Sequence, residues 1–293
     1  MLSQEQCLSI NKTISESCVL VVQSCDAYED VWDMFFSALS ENWPGCTLDI
    51  ILNTETKVKT FGSLKLNTEN VNRTLSQPHW GQRLLNVLNH VEKDYIITLF
   101  DDFILEDKVN ILKIKQCIEL MEENRRLGVF YFNNIPNTHI ASYDGFFRIG
   151  KTTDYKVNSS PALWRKTVLQ EMTGEIDNAW AWEFFGSARA YGDKYEFHCA
   201  IPSQEDVFVY QYDLGGAIRR GKWVEKVVSP AVKKYDLSLD PELRGYANAF
   251  SREDKYSFKW KVNFVLLGLR MVGVKAFVPL IRAVYTKIRV RLC

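Results

Sequence analysis

The sequence predicts an α/β protein, a mostly parallel sheet flanked by helices, and three observations carry that expectation. Apolar runs of strand length at residues 17–24, 47–53, 95–105 and 127–132 alternate with amphipathic stretches through the first half. The run at 95–105 contains two adjacent carboxylates, Asp101 and Asp102, where a buried parallel strand would end. A chain of 293 residues with 46% hydrophobic and 13% aromatic residues has ample material for a packed core.

Taken in order, the β-branched run around Val19, Val21 and Val22 is a first strand, followed by a polar loop from Cys25 to Asp30. Val31, Phe35, Ala38 and Leu39 then recur at helical spacing up to the stop at Trp43-Pro44-Gly45. Residues 47–53 are a second strand, so the opening unit is strand-helix-strand and right-handed by default. Residues 54–76 read as a polar loop with a weak strand at 58–61. Leu84, Leu85, Val87 and Leu88 mark an amphipathic helix over 80–90, with Arg83 near its start, placed to reach a phosphate or to lie in water.

After the carboxylates, Ile111, Ile114, Ile118 and Met121 predict a helix within 108–124, and 127–132 a further strand. The second half is less regular. A hairpin is expected around 143–147, and a helix opening at Ser160-Pro161 and running to Met172, with Gly174 as its stop. Glu183 then lies among aromatics in Trp180-Ala181-Trp182-Glu183-Phe184-Phe185. It reads either as a base positioned to take a proton, or as a helix carboxylate that pairs with Arg189 or caps the helix.

Formal net charge is zero, yet no acidic residue follows Asp254 while nine lysines and arginines from Lys255 to Arg291 do, so a basic tail sits on an acidic body. The seven cysteines are scattered and form no Cys-x-x-Cys pair, which indicates buried thiols in a reducing compartment rather than disulfides or zinc. The polar, acidic N-terminus has no signal-peptide pattern, and the sequons at Asn11, Asn72 and Asn158 are therefore treated as chance matches. Nucleic-acid binding is not expected, because the basic residues cluster in an apolar tail.

Asp101 and Asp102, at a strand end in an open α/β sheet, suit a hydrated divalent cation or a ribose; the alternative is a turn or helix cap. Taken together, Ser24-Cys25-Asp26-Ala27-Tyr28, Asn42-Trp43-Pro44-Gly45, Trp80-Gly81-Gln82-Arg83-Leu84, Leu99-Phe100-Asp101-Asp102-Phe103, Ser160-Pro161-Ala162-Leu163-Trp164 and Trp182-Glu183-Phe184-Phe185-Gly186 resemble bacterial GT-A-type glycosyltransferases of capsule and O-antigen loci. The resemblance spans roughly residues 17–225. It implies one GT-A-like domain over 1–255, with a donor half at about 17–132 and an acceptor half at about 133–255, followed by a helical tail over 256–293. It further implies a nucleotide-sugar donor, a UDP-sugar above others, a divalent cation (Mg²⁺ or Mn²⁺) and transfer to a glycan hydroxyl. Asp26, Tyr28 and Asp101 would then hold base and ribose, Asp102 the metal, and Glu183 would be the general base of an inverting displacement. The loop with Arg219, Arg220 and Lys222 would supply cations to the diphosphate, and Arg83 a further phosphate contact.

One departure stands out: Phe103 replaces the second carboxylate of Asp-x-Asp, and adjacent aspartates point to opposite faces of a strand, so cation dependence is open. A nucleotidyltransferase is the weaker enzyme reading, since no glycine-rich loop follows the first strand; a non-catalytic carbohydrate-binding or assembly protein is the other alternative. In the tail, the uncharged run 262–269 is short of a membrane span. Lys275, Arg282 and Arg289 recur at heptad spacing among apolar residues, so 259–293 reads as an interfacial anchor on anionic lipid, or else as a helix packed on the body. The anchor reading puts the protein on the cytoplasmic face of the plasma membrane, beside a lipid-linked acceptor.

Overall fold

The computed structural model describes residues 2–136, 140–211, 214–247 and 257–292, without the side chains of 286–292. Strands β1 (Cys18–Gln23), β2 (Asp49–Asn53), β3 (Lys65–Leu66), β4 (Tyr95–Phe100), β5 (Leu127–Tyr131), β6 (Ile140–Ala141), β7 (Phe146–Arg148), β8 (Ala162–Arg165) and β9 (Glu196–Ala200) form one sheet. Their order is β3-β2-β1-β4-β8-β5-β9-β7-β6, and among the described residues only β7 and β8 run against the rest. The helices are α1 (Gln4–Ser17), α2 (Glu29–Asn42), α3 (Trp80–His90), α4 (Ile111–Glu123), α5 (Lys166–Met172), α6 (Ala179–Phe184), α7 (Glu225–Tyr235), α8 (Pro241–Arg244), α9 (Phe258–Val272) and α10 (Phe277–Leu292). A separate hairpin joins β10 (Ile218–Arg219) to β11 (Lys222–Trp223). The α/β class with a mostly parallel central sheet is as the sequence predicts.

β1 is buried throughout because both of its faces are covered. Leu20 and Val22 join Ile97 and Leu99 of β4 in a core with Trp32 and Phe35 of α2 and Ile114 of α4. Val19 and Val21 face the other way, with Ile96, toward Leu84 and Leu88 of α3 and Val168 of α5. Gln23 pairs with Phe100, so β1 and β4 end side by side. The chain leaves β1 for β2 on one side while β4 lies on the other, and the crevice at such a reversal is where open α/β sheets bind ligands.

Several local expectations change. Residues 162–165 do not open a helix; they form β8, wedged antiparallel between β4 and β5, and the helix starts only at Lys166. A short apolar run has no periodicity to separate strand from helix, and two neighbouring strand edges decide it here. The weak strand expected at 58–61 is absent, and β3 lies at Lys65–Leu66 instead. The hairpin around 143–147 is present as β6 and β7. Residue 255, the expected domain boundary, lies outside the described residues.

The tail packs and exposes apolar surface at once. Phe264 of α9 packs at a tilt against Phe184 and Phe185, with ring centroids at 5.8 and 4.9 Å, and Arg189 donates to the carbonyl of Met271 at 3.2 Å. Arg282 turns toward the body, donating to Thr152 and Asp154, so the expected cationic stripe is broken there. Lys287, Arg289 and Arg291 lie where side chains are not described. The other face bares Leu266, Val274, Phe277, Ile281 and Val284. The helical run Phe258–Tyr285, 28 residues long, is long and apolar enough to cross a membrane by length and composition. The run is not one straight helix, however: Gly273, at φ 61°, ends the 15-residue α9, and a 3-10 turn over Gly273–Ala276 leads into α10.

Gly268 permits the close approach of α9, because a Cβ there would stand 2.5 Å from the Phe185 ring. Gly268→Val should cost about 1–3 kcal/mol and lower Tm by several degrees, while Leu266→Val on the exposed face should leave it unchanged. Equal melting curves for both variants would mean that α9 does not rest on Phe185.

Candidate functional site

A cleft of about 420 Å³ opens beyond the ends of β1 and β4. Gln23, Ser24, Cys25 and Tyr28 wall it from β1 and the loop after it, and Asp101 and Asp102 from the turn after β4. Trp80 and Arg83 come from α3, Trp180 and Glu183 from α6, and Arg220 from the β10–β11 turn. Six of the nine site residues expected from the sequence therefore share this one cavity: Tyr28, Arg83, Asp101, Asp102, Glu183 and Arg220.

The two aspartates divide. Asp101 is buried, and its Oδ2 accepts from the Ser24 hydroxyl and from Trp32 Nε1 at 3.2 Å. Burial pushes its pKa well above the usual carboxylate range, the neighbouring Asp102 adds to this, and the Ser24 and Trp32 hydrogen bonds oppose it. Asp102 is half-buried and faces the cleft; burial lifts it to about 6. Its backbone carbonyl accepts from Ala217 N at 2.5 Å, and a Cβ at Gly216 would collide with its carboxylate, so the 214–217 loop closes on Asp102 only because residue 216 is glycine.

Arg83 neither lies in water nor is spent on one partner. Its Nη1 donates to the carbonyls of Ser24 at 3.1 Å and Asn53 at 3.4 Å and pairs with Glu55 at 3.0 Å. Burial lowers its pKa, with Glu55 opposing. Its Nε has no partner, and neither has Gln23 Nε2 nor Trp80 Nε1, all three buried atoms of residues that line the cleft.

Glu183 accepts at Oε1 from Ser159 N at 2.7 Å and from the Ser159 hydroxyl. The alternative pairing with Arg189 is not formed, because Arg189 grips Asp177 at 2.5 and 2.9 Å. Tyr28 lies under the Arg244 guanidinium, 4.7 Å from ring centre to Cζ, and burial raises its pKa. Arg244 in turn holds Asp30 through two bonds of 2.6 Å.

Three expected residues lie elsewhere. Asp26 accepts from Thr56 N, Lys57 N and Thr56 Oγ1 at 3.1, 3.0 and 2.5 Å, and so fastens the loop after β2 instead of lining the cleft. Partial burial would raise its pKa, but these bonds hold it below the ordinary value. Arg219 and Lys222 face each other across the hairpin, both exposed. Between them Arg220 and Gly221 have φ of 53° and 78°, the two left-handed residues of a tight hairpin turn, and only Arg220 enters the cleft lining. Sequence reasoning missed Gln23, Ser24, Trp80, Ser159, Trp180 and Arg244. Ser24 and Trp80 open two of the quoted motifs and Gln23 directly precedes the first, so proximity was the available signal for these; Arg244 gave none.

Among the described residues no group of three or more His, Cys, Asp or Glu gathers to hold a metal. Asp102 is the carboxylate available to one, and magnesium accepts a single carboxylate when phosphate oxygens and waters complete its shell.

No protein-family model matches the chain, and no curated protein sequence matches it. Among solved structures, TarS 1-349 of S. aureus is similar over 89% of this chain and 82% of its own, at 11% identity and TM-score 0.44. The same protein in complex with UDP-GlcNAc gives 86% and 79%, 10% identity and TM-score 0.41. A CMP:2-keto-3-deoxy-manno-octonic acid synthetase complexed with CTP covers 53% of this chain and 76% of its own at 15% identity and TM-score 0.29. At such scores the likenesses decide nothing about the reaction.

Because burial lifts Asp102 from the ordinary 3.8 to about 6 in the folded state, that state loses stability as pH rises from about 4 to 6. Asp102→Asn should therefore match wild type near pH 4 and exceed it at pH 7.5 by on the order of 1–3 kcal/mol in urea unfolding. A variant no more stable at pH 7.5 than at pH 4, relative to wild type, would show an unstressed carboxylate.

Proposed function

We propose that the chain is a nucleotide-sugar-dependent glycosyltransferase that moves a sugar to a hydroxyl of a glycan. The observation that supports this most is the meeting, in one cleft beyond the strand ends, of a cation-compatible carboxylate, two arginines and a separately anchored glutamate. Transfer from a nucleotide sugar needs those parts: a place for a diphosphate, stabilisation of the charge that grows on it, and a base for the acceptor.

Arg220 and Arg83 are the cationic side chains of the cleft, and Arg220, at its hairpin turn, meets the diphosphate. Asp102 would hold a divalent cation, which when bound supplies further neutralisation of the leaving group. Ser159 fixes Glu183 through Oε1, which leaves Oε2 to take the proton of the attacking hydroxyl. A single displacement with one base inverts the anomeric centre. Trp180, 73% exposed at the cleft beside Glu183, offers a flat apolar face on which an acceptor sugar can lie.

The tail suits a lipid-linked acceptor in surface polysaccharide assembly at the cytoplasmic face of the membrane. Its bare face carries Val274, Phe277 and Ile281, with Lys259, Lys261, Arg270 and Lys275 exposed nearby, and cations beside apolar side chains favour an anionic bilayer.

Glu183→Gln should retain donor affinity and lose transfer by about two orders of magnitude or more, read from calorimetry and from UDP release with a glycan acceptor. Parallel loss of binding and turnover would make Glu183 structural, and a wild type that leaves every sugar nucleotide intact would favour a binding protein. Full-length protein should pellet with anionic vesicles at low salt and be released at high salt, at about 1 kcal/mol per basic residue near the surface. Replacing Val274, Phe277 and Ile281 with serine should abolish pelleting without changing Tm; a wild type that stays in the supernatant would leave the tail as a packing element alone.

A further inference from the structure

We infer that the C-terminal helix α9 takes part in positioning Glu183, and that Arg189 is the positioning residue through which it does so. The inference rests on the glycosyltransferase reading above, in which Glu183 is the base, and adds what holds that base in place.

α6 has only six residues, and a helix this short is marginal by itself, so its orientation comes from what its ends are tied to. Asp177 and Arg189 bracket it in sequence, with Glu183 midway between them. The two close on one another. Arg189 Nη1 and Nη2 donate to the two carboxylate oxygens of Asp177 at 2.5 and 2.9 Å, a two-point pairing that fixes direction as well as distance. Asp177 is fully buried, and its Oδ2 also accepts from Gly174 N at 2.8 Å. The helix that carries Glu183 therefore lies inside a clasped loop.

Each side of the clasp is fastened to a different part of the molecule. The backbone carbonyl of Asp177 accepts from Gly81 N at 2.9 Å, in the first turn of α3 between Trp80 and Arg83 of the cleft wall. A Cβ at Gly81 would stand 2.0 Å from the Gly174 carbonyl, so this seam has no room for a side chain. On the other side, Arg189 Nη2 donates to the carbonyl of Met271, in the last turn of α9, where helix carbonyls lack donors of their own. The same helix sets Phe264 and Gly268 on Phe185, two residues beyond Glu183. α6 thus shows Trp180 and Glu183 to the cleft, and with Phe185 turns Ala181 to the tail. One planar guanidinium joins the Asp177 carboxylate to α9, a geometry that the point charge of a lysine does not reproduce.

Arg189→Lys keeps the charge beside Asp177 and loses the fork, whereas Phe264→Ala loosens α9 without touching the ion pair. Each should lower kcat, read from UDP release with a glycan acceptor, by at least about tenfold, since small misplacements of a catalytic group are costly. In a Glu183→Gln background either substitution should cost no more than about a further twofold, because a displaced base and a missing base are the same loss. A merely structural role would instead multiply the losses. Multiplied losses in the double variants, or full kcat in either folded single variant, overturn the inference and leave the glycosyltransferase reading standing. A wild type that leaves every sugar nucleotide intact removes both. Should Arg189→Lys not fold, the cycle of Phe264→Ala with Glu183→Gln decides alone.

Discussion

The buried carboxyl of Asp101 ties together the ends of β1 and β4 and the first turn of α2, the elements from which the cleft opens. Ser24 and Trp32 converge on one oxygen of it, and Trp32 Nε1 also donates to Ser24 Oγ at 2.8 Å, closing a three-membered network. Burial and the neighbouring Asp102 disfavour charge on Asp101 while the two hydrogen bonds favour it, and burial prevails. Such a group fixes geometry. Its neighbour Asp102, half-buried at the cleft in the same turn, is left as the carboxylate that can meet a ligand.

The second wall is held by backbone conformations that few residues tolerate. Gly216 lets the 214–217 loop rest on Asp102, and the two-residue turn at Arg220-Gly221 needs positive φ twice. Glycine or asparagine would occupy the first turn position at less cost than arginine. An arginine held there directs a cation to the cleft while its sequence neighbours Arg219 and Lys222, committed to hairpin pairing, stay in solvent. Three basic residues in one loop thus have different surroundings, and only backbone geometry separates them.

Much of the fold was legible because buried strands write themselves as continuous apolar runs, as in 17–24 and 95–105, and because Val31, Phe35 and Leu39 keep helical phase. β8 was not legible: Ala162-Leu163-Trp164 follows a proline and precedes a true helix, and only the free edges of β4 and β5 turn it into a strand. The place of an expected residue was legible where it follows from a strand end, as with Asp101 and Asp102, both of which line the cleft. Asp26 fits the motif equally well in sequence, but Thr56 and Lys57, thirty residues on, claim its carboxylate. Arg244 is the converse. It supports the Tyr28 wall from a segment without motif or periodicity.

Asn86, Asn72, Asn53 and Gln23 form a ladder of side-chain amides behind the cleft, and Gln23 ends it with an unpartnered Nε2. Trp164, Trp223 and His198 also hold single buried polar atoms without partners, but each stands alone within the packed core. A buried donor without a partner costs roughly 1–3 kcal/mol, which folding must absorb for each group. Gln23 Nε2, Arg83 Nε and Trp80 Nε1 each carry that cost in residues that line the cleft. Each internal rung is satisfied, so the ladder is rigid, and only its end at Gln23 Nε2 lacks a partner.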